Sequence, residues 1–213
     1  MIREVCVENF TLVPKAIQAG ADRIELCDNL AVGGTTVSLG VMETTITYCK
    51  QEAVPVMVII RPRGGNFIYS EAEKDIMLRD IQTAKKLGAT GIVIGALTTE
   101  NTLDTDFLTQ VIKVSENMER TFHMAFDELP KEQQRAAIDW LSEAGYSRIL
   151  THGGPLTDPI DQHTTSLKEL IAYSNGRITI LPGGGITSDN ASRIQNELSV
   201  EELHGTKIVG TLE

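Results

Sequence analysis

The sequence is poor in cysteine, has no excess of positive charge and contains no long apolar run. Three cysteines in 213 residues, an odd number spread along the chain, do not form a disulfide framework. A reducing cytosol is therefore the expected setting. Lysine and arginine together number 19 against 29 aspartates and glutamates, for a formal charge of −10. A chain with that balance lacks the broad basic face that releases counterions from a phosphate backbone, which excludes a non-specific nucleic-acid binder. No apolar run reaches the roughly 18 residues that span a bilayer, and Met1–Phe10 lacks the basic and apolar regions of an export signal. No GxGxxG fingerprint follows the first apolar run, which removes the main signature of a dinucleotide-binding fold.

What is present is a rhythm. Apolar or β-branched runs recur at Ile2–Val7, Arg23–Leu26, Val56–Ile60, Gly91–Ile94, Thr121–Phe122, Arg148–Thr151 and Ile178–Leu181, with a last one near Leu203. Between them lie stretches of helical spacing, among them Glu71–Leu87, Leu103–Met118, Lys131–Ala144 and Leu167–Tyr173. At Ala19-Gly20-Ala21, Leu87-Gly88-Ala89 and Ala144-Gly145-Tyr146 a glycine closes a helical stretch a few residues before an apolar run. Eight strands alternating with helices predict an α/β fold, a single parallel (β/α)8 barrel over residues 1–213. The chain is short for that fold, where about 250 residues is usual, so the last helix is expected to be short or missing, or supplied by a second copy in a homo-oligomer.

Strand parity then selects the side chains that face the lumen. If Val5, Val7, Ile24, Leu26, Val56, Val58, Ile60 and Phe122 pack outward on helices, Glu4, Cys6, Glu25, Cys27, Arg61 and His123 turn inward. Two thiols on adjacent strands suit a soft monovalent ion such as Cu(I), with Cys6 and Cys27 as the metal ligands. Buried free cysteine is equally a common small core residue. Glu25, His123 and Asp127 are the candidate catalytic groups, with Asp127 expected to orient His123. Arg61 and Arg63, flanking Pro62, offer guanidinium forks to an anion, as do the amides of Gly183, Gly184 and Gly185 after the seventh strand. Because an inward arginine needs a carboxylate, Arg61 is expected to pair with Glu25.

The motifs EVCV, AGADRIELC, IIRPRGGNFIYS, TFHMAFD, ILTHGG and PGGGI resemble those of the CutC copper homeostasis family along almost the whole chain. The resemblance implies a barrel, a cytoplasmic location, and cuprous binding by Cys6 and Cys27. Two positions depart from the family pattern: Met124 stands where arginine is usual, which weakens anion binding at the fifth strand, and His152 stands where serine is common. The chain also stops sooner after the eighth strand than most relatives. Two functions follow as expectations: cytosolic Cu(I) binding through the cysteine pair, or a barrel enzyme acting on a small anionic substrate, phosphorylated ones included.

Overall fold

The computed structural model describes residues 1–212. It contains eight strands: β1 (Ile2–Glu8), β2 (Arg23–Cys27), β3 (Val56–Ile59), β4 (Gly91–Ile94), β5 (Glu119–Phe122), β6 (Arg148–Thr151), β7 (Thr179–Pro182) and β8 (Glu202–Gly205). Seven helices connect them in turn: α1 (Val13–Gln18), α2 (Leu39–Gln51), α3 (Glu71–Leu87), α4 (Thr105–Val114), α5 (Lys131–Glu143), α6 (Thr164–Ser174) and α7 (Ala191–Leu198). Every strand pairing is parallel, in the order β7-β6-β5-β4-β3-β2-β1-β8. The sheet is thus a nearly closed (β/α)8 barrel. Its seam lies between β7 and β8, which are joined just past their ends by a parallel bridge of Thr187 with Lys207.

Local chemistry accounts for the element ends. Ser70 and Glu73 form a reciprocal capping box at the start of α3, and Gly88 closes that helix at φ 87°. Gly20 and Gly145 stand at the equivalent junctions, also with positive φ. The fourth helix is shorter than its spacing suggests. Asp104 caps it by accepting from the Phe107 amide, and Asn117 turns left-handed at φ 67° before Met118 is reached. No helix follows β8 among the described residues; Ile208 and Leu212 pack into the outer core.

The period of two holds around the barrel. Val5, Val7, Ile24, Leu26, Val56, Val58, Ile60 and Phe122 join the core between sheet and helices, while Cys6, Cys27, Met57, Ile59 and Val93 form a separate cluster inside the lumen. At the strand starts the lumen is floored by ions. Glu119 pairs with Arg148 at 2.6 Å, Arg148 with Glu202 at 2.8 Å, and Glu202 with Arg23 at 2.6 Å; Arg23 in turn pairs with Glu4. Such buried charges are tolerable because each has a partner of opposite sign.

Candidate functional site at the barrel mouth

Above this floor the lumen narrows onto Cys6, Glu25 and His204, whose candidate ligand atoms all lie within 4.8 Å of one another. β1 and β2 place Cys6 directly opposite Glu25, and β1 and β8 place Glu4 opposite His204. The His204 ring donates from Nδ1 to Glu4 Oε1 at 2.8 Å, with Glu25 Oε2 3.2 Å from the same nitrogen. Burial opposes charge on His204, but the carboxylates of Glu25 and Glu4 outweigh it and hold its pKa above the ordinary value. Burial likewise pushes Glu4 up, yet the His204 hydrogen bond and the charges of Arg23 and His204 bring it down to about 2. Glu25 feels the His204 and Arg23 charges but lacks the hydrogen bonds that hold Glu4. Burial, opposed by His204 but aided by Glu4, leaves it at about 7, and its Oε2 has no good hydrogen-bond partner. One buried carboxylate is thus firmly ionised and its neighbour takes a proton near neutrality.

The sulfurs of Cys6 and Cys27 are 3.5 Å apart. Cys27 also lies 3.4 Å from the Val7 carbonyl oxygen. The Cys27 contact, burial and the nearby Glu25 charge push the Cys6 thiol well above its usual value. Cys49, in α2, is buried in the outer core and takes no part.

Over this cluster opens a cavity of about 280 Å³. Its wall includes Cys6, Glu25, Arg61, His123 and His204, and its rim carries Gly184, Gly185 and Lys207. His123 caps a short helical turn (Met124–Glu128), with Nδ1 accepting from the Ala125 amide at 3.2 Å. That acceptor role leaves the ring proton on Nε2, which is buried without a partner. Burial, reinforced by Arg61, drops the His123 pKa to about 3, so the ring is neutral. Gly95 is what admits it, since a Cβ there would stand 2.6 Å from the imidazole.

Several expected arrangements are not formed. Arg61 does not pair with Glu25: its guanidinium turns to the carbonyls of Val32 (2.8 Å), Gly34 (3.1 Å) and Gly65 (2.7 Å), lacing the loops after β2 and β3 together. Asp127 does not orient His123. It accepts from Thr151 Oγ1 and from the amides of His152 and Gly153, tying the loop after β5 to the end of β6. Arg63 is spent on Glu73 and the carbonyls of Gly64, Asn66 and Ile68, outside the cavity. Gly183 gives its amide to the Thr151 carbonyl in the sheet, so only Gly184 and Gly185 of that run reach the rim. His152 adds no free donor, because its ring nitrogens face the carbonyls of Gly183 and Asp158. Met124, in the usual arginine position, is an apolar part of the cavity wall.

His204, which sequence places at a late strand end near the mouth, does line the cavity, but its partners are not legible in sequence. It stands 200 positions from Glu4, and only barrel closure brings the two together. The signal open to sequence was its inward parity in the last strand, beside the apolar Leu203.

The CutC family profile matches residues 1–209. The chain belongs to the CutC family. A CutC family protein of Enterococcus faecalis is 58% identical over 209 residues, covering 98% of this chain and 100% of that protein. The human copper homeostasis protein cutC homolog is 40% identical over 204 residues, 95% of this chain and 72% of that protein. The crystal structure of a CutC from Streptococcus agalactiae superposes with a TM-score of 0.95 at 43% identity, covering 98% and 99% of the two chains. In this CutC family member no helix is long and apolar enough to cross a membrane, among the described residues.

Proposed function

We propose that this member of the copper homeostasis family binds Cu(I) inside the barrel through Cys6 and Cys27. The observation that carries the reading is the 3.5 Å separation of two buried sulfurs. Two metal–sulfur bonds of about 2.3 Å span at most roughly 4.6 Å, so small rotations of the two thiols admit an ion between them. A soft donor pair with few hard ligands favours Cu(I) over Zn(II). Exchanging two thiol protons for one cuprous ion leaves one net negative charge, close to the His204 ring, whose pKa the carboxylates of Glu25 and Glu4 raise. Three free cysteines fit a reducing, cytosolic setting, where the pair stays available to metal.

The test is anaerobic Cu(I) titration against a competing chelator. Wild type is expected to bind one ion with two sulfur neighbours by X-ray absorption, and Cys6→Ser and Cys27→Ser each to lose it. Since Cys6 is held protonated, each thiol displaced should weaken binding by up to about tenfold per unit fall in pH. Unchanged affinity in both serine variants would end the proposal. A second reading, a pocket for a small anion, is favoured by the polar groups of the cavity that copper does not use.

A further inference from the structure

Arg61 is 4% exposed; its guanidinium donates to three backbone carbonyls, lies over the Phe67 ring and stands beside Tyr69, with no carboxylate in a salt bridge among the described residues. A buried cation without a paired carboxylate lacks the counter-charge that ordinarily makes such burial tolerable. Its Nε is also without a hydrogen-bond partner, as is Nε2 of His123, which is 5% exposed. Both side chains line the same cavity. They flank one aromatic ring: the Arg61 guanidinium lies 4.8 Å from the Phe67 centroid, and the His123 ring is 4.8 Å from it. Two donors without a partner, on side chains that line one cavity and beside a positive charge with no carboxylate in a salt bridge, suit an anion with two acceptor oxygens.

The rest of the cavity limits what that ligand can be. Leu30, Ile59, Phe67, Met124 and Leu150 contribute an apolar belt. A volume of about 280 Å³ holds roughly nine waters, or on the order of ten non-hydrogen atoms of an organic molecule.

We propose that this cavity is a receptor for a small organic carboxylate with a short apolar body, its oxygens taking the free N–H groups of Arg61 and His123. This rests on reading the mouth as a small-anion pocket, and it requires neither copper nor any particular reaction. The planar two-oxygen head matches two donors; a phosphate dianion would leave acceptors unmet on this wall.

The experiment uses metal-free, reduced full-length protein. Butanoate and benzoate, their neutral amides, and phenyl phosphate are titrated by calorimetry and thermal shift. The acids are expected to bind with millimolar or tighter Kd and to raise Tm, the amides to bind at least about tenfold more weakly, and Arg61→Gln to lose about tenfold or more. Because Arg61 also laces two loops, its variant can fail to fold. The wild-type ¹⁵N resonance of His123 Nε2 is therefore followed as well, and is expected to shift as the acids saturate. Amides binding as tightly as acids, or an unmoved His123 resonance at saturation, overturns the inference. Phenyl phosphate binding without the acids overturns the carboxylate assignment and keeps the anion pocket, and no binding by any probe removes both.

Discussion

Replacing Glu4 by glutamine keeps the shape of the side chain and removes a charge held by Arg23 and His204. Glu4 is fully buried, and its pKa falls from 4.5 to about 2. At about 1.4 kcal/mol per pKa unit, ionised Glu4 stabilises the fold by about 3 kcal/mol at neutral pH. Because the folded value lies below the unfolded one, this stabilisation is complete above the unfolded pKa and is lost as pH falls through the folded one. The difference between wild type and Glu4→Gln should therefore be about 3 kcal/mol at pH 7, about 2 at pH 3.5, and small near pH 2. Urea unfolding followed by fluorescence of the single tryptophan, Trp140, measures it across pH 3.5–7. A difference that stays constant over that range, or falls below about 1 kcal/mol at pH 7, would refute the assignment of Glu4 as the ionised anchor of the lumen.

The neighbouring carboxyl should behave with the opposite sign. Glu25 is held at about 7 against an ordinary 4.5, so the unfolded chain ionises first and wild type loses stability as pH rises between those values. Glu25→Gln should gain on wild type by about 3 kcal/mol from acid to pH 8, and an advantage that shrinks between pH 5 and pH 8 in the same unfolding series would contradict this. At Gly91 in β4 a Cβ would stand 2.5 Å from the Glu119 carbonyl oxygen and 2.5 Å from Met57 Cε. The backbone cannot yield, so Gly91→Ala should cost about 2 kcal/mol; an unchanged Tm by calorimetry would show that the strand gives way more easily than its packing implies.

The barrel was legible in sequence because its determinants are local and periodic. Alternation of two exposes which side chains face inward, so Cys6 and Cys27 could be placed in one lumen from Val5, Val7, Ile24 and Leu26 alone. A glycine at each of three helix ends marked the repeat. Tertiary structure decided which inward groups partner one another. Arg61 and Glu25 share an inward parity, but parity gives no distance around the barrel. Loop carbonyls of Val32, Gly34 and Gly65, which no side-chain pattern encodes, took the guanidinium instead. Asp127, four residues from His123, went to the end of β6 because three donors converge there and His123 offers Nδ1 only as an acceptor. Glu4 meets His204 only because β8 pairs with β1. The sequence by itself thus determined the fold and which side chains enter the lumen, since both follow from the period of the backbone. The ionisation of Glu4, Glu25 and His204, and with it the chemistry of the mouth, depends on desolvation and on charges brought together by barrel closure.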